Sequence, residues 1–470
     1  MTSLLARVAA VLLLWSAAAA ASGPSRPLVA QLDLGEETRQ LTHLVVDDGR
    51  LFVAGVNRLL ELGPDLQVVS RVITGPVQDA PVCPAAGCPP EVAAEPTDNV
   101  NKLLLVAGER LLSCGSVRQG ACRFHDLANI SRSDFVDVEV AANDESSSTV
   151  GFLGPQRYQR WEPPQVLYVG ATFTDVGPYR HDVPAIATRR LDDLQYAEFS
   201  FSQQSLMRID VKYRDHFLVQ YMDGFSAGDF VYFVTVQKKS HLPGQDEVGY
   251  VSRIARVCVT DPNYNSYTEV TVSCGEYNLV RSARLTSAGA DLAEAAGVRT
   301  GDPVLVAVFS PSDGNTMVYQ NRSAVCVFPL QQVDTAFDES IHMCFNGTEP
   351  YRNMDYISGL IENGMCIKSP VSPVPPPLCV VPGCGAAIRR ACRVLAALHS
   401  PPSPSALCPP LLFQPARRGR PMIYPRHFIL LSSGIRDPCH LCPPLGYLHT
   451  STPALAAAAE LPTSGSRPRS

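Results

Sequence analysis

The sequence predicts an all-β fold made of many small antiparallel sheets, and three observations lead there. Short β-rich runs follow one another closely with Gly, Pro, Asn or Asp between them; no helical periodicity alternates with them; and the clearest hairpin is apolar on both faces. Sheets of three or four short strands without alternating helices leave a sandwich, a barrel or a propeller. A hairpin buried on both faces favours the propeller, in which small sheets stack so that each has a neighbour on either side.

Taken in order, runs 42–46, 50–55, 58–62 and 68–74 read as a meander that closes on Gly75-Pro76. Runs 102–106, 110–114 and 122–126 repeat the pattern, as do 149–154, 165–171 and 185–190. In the hairpin 217–225/230–237, Phe230, Tyr232, Val234 and Val236 point one way and Val231, Phe233 and Thr235 the other. Runs 253–259, 268–271, 304–309 and 324–328 add strands. Residues 287–297, with Leu292, Ala295 and Ala296 on one side, are the best helix candidate, an insertion between strands. No blade repeat of the WD type is visible.

The compartment is legible at the N-terminus. Residues 1–21 read as a secretory signal: Arg7 gives the positive start, Val8 to Trp15 the apolar core, and the alanines before Ala21 the small-residue cleavage site. No later segment offers eighteen uninterrupted apolar residues, so the chain is expected to be secreted. Asn129-Ile-Ser131, Asn321-Arg-Ser323 and Asn346-Gly-Thr348 are glycosylation sequons. Oxidising conditions suit Cys114-Gly-Ser-Val-Arg-Gln-Gly-Ala-Cys122, a loop in which Gly115 and Gly120 can take positive φ and let the two cysteines bridge.

Charge divides the chain in two. Residues 22–366 hold 27 basic and 43 acidic side chains, which argues against a nucleic-acid partner and for one with a basic surface. Residues 367–470 hold 11 basic residues against Asp437 and Glu460, and carry half of the 40 prolines. That composition predicts a disordered, low-complexity tail.

The Cys-Gly-Ser…Gln-Gly…Cys arrangement at 114–122 resembles the sema domain of plexins, the cell-surface receptors for semaphorins. Val56-Asn-Arg-Leu59, Thr74-Gly-Pro-Val77, Thr97-Asp-Asn-Val-Asn-Lys-Leu-Leu-Leu105 and Asn263-Tyr-Asn-Ser-Tyr267 resemble the family pattern in the same order. Val140-Ala-Ala-Asn-Asp144, Ser148-Thr-Val-Gly151 and Cys326-Val-Phe-Pro-Leu330 lean toward the B-type plexins.

The resemblance implies a seven-bladed sema-type propeller over residues 22–366, lacking its last blades, that binds a semaphorin through its own sema domain. The full-length receptor would serve semaphorin–plexin signalling in cell and axon guidance at the plasma membrane. It implies disulfides Cys83–Cys88, Cys114–Cys122, Cys274–Cys326 and Cys344–Cys366, with Cys258 paired beyond Cys366, where Cys379 stands among prolines unlike the family's. It also implies ligand contacts on the loop carrying Asp175, Tyr179 and Arg180. No cofactor, metal or catalytic residue is expected.

Two other functions compete. A hepatocyte growth factor receptor shares the sema pattern. Gly224-Phe-Ser-Ala-Gly228 matches the G-x-S-x-G elbow of serine hydrolases, although here it joins two strands and reads as a hairpin. Cys439-His-Leu-Cys442 has zinc-ligand spacing but lacks two further ligands in register. Arg417-Arg-Gly-Arg420 reads as a solvated charge run.

Overall fold

The structure, a computed structural model, describes residues 32–34, 40–156, 165–178, 182–200, 203–346, 354, 356 and 357. All of them fall in the first of the two units into which the chain divides, Met1–Arg393. The expected signal, the Pro-rich tail, Tyr179, Arg180, Cys366 and Cys379 lie outside the described residues.

Five sheets of three or four antiparallel strands follow one another along the chain. Sheet I holds Leu41–Asp47, Arg50–Gly55, Arg58–Leu62 and Val68–Ile73. Sheet II holds Asn101–Ala107, Arg110–Gly115, Cys122–Asp126 and Asn129–Val136. Sheet III holds Thr149–Pro155, Gln165–Ala171, Ile186–Arg189 and Leu206–Met207. Sheet IV holds Gln220–Ala227, Phe230–Lys238, Tyr250–Cys258 and Thr268–Val272. Sheet V holds Leu279–Ser287, Pro303–Ser310 and Ala324–Pro329.

Within every sheet the spatial order is the chain order, and the first strand of each sheet contacts the first strand of the next, from sheet I through to sheet V. Sheets joined at one edge in this way radiate from a common centre, which is the plan of a propeller. The described residues form an arc of five blades.

Apolar layers between successive blades hold the arc. Phe52, Leu59, Leu104 and Leu111 fill the space between sheets I and II, and Leu103, Leu112, Leu167 and Val169 that between II and III. The hairpin of sheet IV has both faces covered: Val231 and Phe233 pack with Val166, Tyr168 and Ile186, while Tyr232, Val234 and Val236 pack with Leu305, Ala307 and Phe309. The period-two alternation therefore places its residues as expected.

The far face of sheet V is covered by helix α1, Ala290–Ala296, whose Ala293 is buried against Val304 with Leu292 beside it. That helix is the insertion expected at 287–297, made shorter by the Gly289 N-cap and the left-handed Gly297 C-cap. Sheet I is less well covered on its outer side. Leu32, Leu34 and Leu66 pack there, but Leu44, Val46, Val69 and Ile73 remain exposed.

The three longest elements that no expected run covers are two strands and a helix. Strands Asn129–Val136 and Leu279–Ser287 are too polar to show as β-runs; each is set by pairing with the neighbouring strand, Cys122–Asp126 and the apolar Pro303–Ser310 respectively. Helix α2, Leu330–Asn346, buries Leu330, Val333 and Phe337, a helical spacing that was present in the sequence. An ion-pair and cation–π network adds to that apolar docking. The Arg256 guanidinium lies 4.2 Å from the Phe230 ring and 4.4 Å from that of Phe337, and bonds Asp334 (2.9 Å) and Asp338 (3.1 Å), one helical turn apart.

Asp223, at a bulge of the innermost strand of sheet IV, carries a testable pH dependence. Burial pushes its carboxyl up to about 6, against the opposing pull of the Gly224 N–H (2.8 Å) and the charge of Arg284. Between pH of about 4 and about 6 the folded chain keeps a proton that the unfolded chain has lost, so this group's contribution to stability falls as pH rises through that window. Asp223→Asn is expected to raise the thermal midpoint at pH 7.4 and to leave it unchanged near pH 4. An equal shift at both, followed by circular dichroism, would remove charge as the cause.

Candidate functional site

Because chain order and spatial order agree in every sheet, the second-to-third strand connections and the sheet-to-sheet connections emerge on the same face of the arc. On that face, loops 74–100, 116–121, 137–148 and 172–185 meet over sheets I to III.

The cysteines hold two of these loops. Cys114 and Cys122 are directly paired across neighbouring strands, with Cα atoms 4.0 Å apart, and are disulfide-linked; Cys83–Cys88 closes a small loop of its own. The turn at 118–120 departs from expectation in one respect. Arg118, Gln119 and Gly120 take positive φ (51°, 59° and 78°), whereas Gly115 does not. Gly115 is small for a different reason: a Cβ there would lie 1.8 Å from Asn99 Oδ1.

This left-handed turn aims Gln119 into the face. Its side chain is buried and donates from Nε2 to the carbonyls of Pro81 (3.1 Å) and Cys83 (2.7 Å). Its Oε1 accepts from Asn143 Nδ2 (2.7 Å), which also reaches the Val176 carbonyl (3.1 Å), and Thr174 Oγ1 donates to Asn143 Oδ1 (2.5 Å). One chain of hydrogen bonds thus runs from the Cys83–Cys88 loop to the loop that carries Asp175. Neither Gln119 nor Asn143 stood out in the sequence as a site residue, because each acts through partners from other blades.

Beneath it, Lys102 is buried and donates from Nζ to the carbonyls of Glu145 (2.8 Å) and Ser147 (2.9 Å). Burial lowers its pKa, while the charges of Asp144 and Glu145 act to keep it protonated. Asp144 caps the same turn, accepting from the Ser147 N–H and hydroxyl, both at 2.5 Å.

These loops enclose a cavity of about 460 Å³ lined by Asp79, Asp98, Asp144 and Glu145 together with Gln119, Asn143 and Val176, and by no Lys or Arg among the described residues. Asp175, exposed, is the chain neighbour of Val176. The arrangement is a rigidly held acidic concavity, suited to basic side chains of a protein partner. Asp79, Cys83 and Cys88 also lie close together, but the two sulfurs are bonded to each other and offer no thiolate to a metal.

The remaining sequence-predicted residues lie elsewhere. Cys274 and Cys326 are linked, with Cα atoms 5.8 Å apart, tying a turn to sheet V. Cys344 is disulfide-bonded, and its expected partner Cys366 is outside the described residues. Cys258 is buried at the end of its strand. Asn129 opens the last strand of sheet II on the opposite face, Asn321 lies exposed before the last strand of sheet V, and Asn346 ends α2. Ser226 is a strand residue paired with Val231, its hydroxyl 3.4 Å from the Phe230 carbonyl, so the turn of this motif is Gly228-Asp229 and no strand-to-helix elbow forms. Cys439, His440 and Cys442 are outside the described residues. Among the described residues, no helix is long and apolar enough to cross a membrane.

A bladed, disulfide-stapled arc with the loops of successive sheets gathered on one face defines a β-propeller domain, and residues 281–379 match the family model of the Sema domain. The chain carries a plexin-like sema domain. It is 33% identical over 345 residues to Plexin-A4 of Mus musculus, an alignment covering 67% of this chain, and 32% identical over 350 residues to Plexin A3 of Danio rerio, covering 65%. The solved extracellular region of Plexin A4 superposes with a TM-score of 0.62 at 27% identity, over 74% of this chain and 40% of that one. The chain spans 18% of the length of the two curated relatives. Both are A-type plexins, so they do not carry the lean toward the B type read from 140–151 and 326–330.

Proposed function

We propose that this chain is ligand-capturing sequence of a plexin-like semaphorin receptor, working outside the cell and without catalysis, and that its loop face over sheets I to III meets the semaphorin. The acidic cavity of Asp79, Asp98, Asp144 and Glu145 carries this reading, because its loops are pinned by Gln119, Asn143 and Lys102 instead of left to order on binding. Asp175, with Tyr179 and Arg180 on the same loop, is assigned to the contact. Tyr and Arg suit the desolvated centre of an interface. The disulfides and the sequons at Asn129, Asn321 and Asn346 agree with an extracellular working place. In the full receptor the consequence of capture is guidance signalling.

The test is surface-plasmon binding of the secreted chain to a panel of semaphorin ectodomains and to hepatocyte growth factor. At least one semaphorin is expected to bind, and Glu145→Lys with Asp175→Lys, both at exposed positions, is expected to weaken it about tenfold, mainly through slower association. Binding to the growth factor alone would give the receptor reading to that ligand. Fluorophosphonate labelling that disappears in Ser226→Ala would give the chain to the hydrolases.

A further inference from the structure

A second cavity, of about 120 Å³, opens between sheets I and II and has the opposite character. Arg58, Arg118 and Arg123 line it with Asn99, Asn101 and Phe135, and no Asp or Glu does. Three arginines line one cavity in a body, residues 22–366, that holds 43 acidic against 27 basic side chains. Arg118 and Arg123 stand 5.2 and 5.1 Å from the centroid of the same Phe135 ring. Their side-chain hydrogen bonds are to neutral groups: Arg118 Nη1 to the Ala86 carbonyl (3.3 Å) and Arg123 Nη1 to Ser133 Oγ (3.4 Å). Burial, and then the charge of Arg118, pull the Arg123 guanidinium below its ordinary range. An anion placed between them would relieve that repulsion and meet planar donor forks suited to a carboxylate.

The surroundings choose among anions. Residues of the two segments that line the acidic cavity alternate with those lining this one: Thr97, Asp98, Val100, Ser116 and Gln119 face the first, while Asn99, Asn101, Gly115, Val117 and Arg118 face the second. A long sulfated chain entering here would run against Asp79, Asp98, Asp144 and Glu145. A single carboxylate carried on an otherwise basic or neutral surface would not.

We propose that the Arg58–Arg118–Arg123 cavity receives one Asp or Glu side chain of the protein that docks on the loop face, so that the two adjoining cavities read a pair of opposite charges. This rests on the proposed loop-face interface for its biological partner but not for its chemistry. An acid-for-arginine contact beside a base-for-acid contact fixes both the register and the orientation of the partner, since a reversed or shifted partner places like charges together.

The chemistry is tested on the full secreted chain by phenylglyoxal modification of arginines, read by peptide mapping, with exposed Arg132 as the reference. Millimolar N-acetylglutamate is expected to slow modification of Arg118 and Arg123 about threefold relative to Arg132, whereas N-acetylglutamine has no effect. Equal effects of the two compounds, or none, overturn the site whether or not a semaphorin binds. Stronger protection by a heparin hexasaccharide than by N-acetylglutamate overturns the carboxylate assignment in favour of a sulfated glycan. The partner is tested by Arg123→Gln, on an exposed strand position, which is expected to lower semaphorin affinity about tenfold and to cost little further affinity once the paired acid of the semaphorin has been changed, Asp→Asn or Glu→Gln. Unchanged affinity, or full additivity with every such change, overturns the partner assignment. Absence of any semaphorin binding by the unaltered chain overturns the proposed function and leaves the protection result to stand by itself.

Discussion

Alanine at position 120 is expected to cost the fold about 3–5 kcal/mol, enough to abolish secretion of a propeller of ordinary stability. Two effects add. Gly120 has φ +78°, a left-handed conformation that costs an L-residue roughly 1–2 kcal/mol. Its missing Cβ would also sit 1.9 Å from the Ala141 carbonyl oxygen and 2.8 Å from the Ala141 N–H nitrogen, both backbone atoms that cannot rotate away. The Gly120 carbonyl meanwhile accepts from Ala141 N (3.1 Å), so displacing either segment breaks the junction between sheets II and III. Gly108→Ala, at φ +62° with nothing within 4 Å, isolates the conformational part and is expected to cost about 1 kcal/mol. Equal denaturant midpoints for the two variants would show that the close approach to Ala141 carries no weight.

Glu269→Gln is expected to be nearly as damaging, at about 3–5 kcal/mol, although it removes only a charge. The carboxylate is buried in the outer strand of sheet IV and accepts from four donors on its two oxygens: Arg253 Nη1 (2.5 Å), Tyr267 OH (2.5 Å), Gln237 Nε2 (3.3 Å) and Tyr356 OH. An amide turns one of those oxygens into a donor facing donors and leaves Arg253 without its counter-charge. Burial and the charge of Glu269 hold the hydroxyls of Tyr267 and Tyr356 far above the usual tyrosine range, so both remain protonated donors at any physiological pH. Tyr356 belongs to a segment that also pairs Ile357 with Ile209 and accepts from Asp210 N (2.8 Å). Glu269→Gln is therefore expected to speed proteolysis near Tyr356 as well as to lower the denaturation midpoint. A lower midpoint with unchanged cleavage would separate the ion pair from the hold on the Tyr356 segment.

The blades were legible wherever a strand buries a face. Arg50–Gly55, Arg58–Leu62, Cys122–Asp126 and Gln165–Ala171 have the bounds their sequence patterns imply, because alternation and turn residues are local signals. Leu279–Ser287 was not legible. Its exposed Arg281, Ser282 and Arg284 conceal the buried Leu279, Val280 and Ala283, and only pairing with Pro303–Ser310 makes it a strand. Helix α2 could have been found from Leu330, Val333 and Phe337, but its attachment through Arg256 could not, since Arg256 and Asp334 are 78 residues apart. Of loop 172–185, the sequence pointed to Asp175. The acidic cavity beside it combines residues from four loops that nothing in their spacing connects.

The amino-acid order by itself determined that small two-faced sheets form, that Cys114 and Cys122 can meet, and that the body is acidic, because strand periodicity, short loop closure and net charge are properties of neighbouring residues. Only the tertiary structure decided which charges share a cavity. Radial stacking brings the loops of successive blades onto one face, so Asp79, Asp98 and Asp144 converge on one side of segments 97–101 and 116–119, and Arg58, Arg118 and Arg123 on the other. That sorting depends on the angle between blades, which the apolar layers set and which no local pattern in the chain encodes.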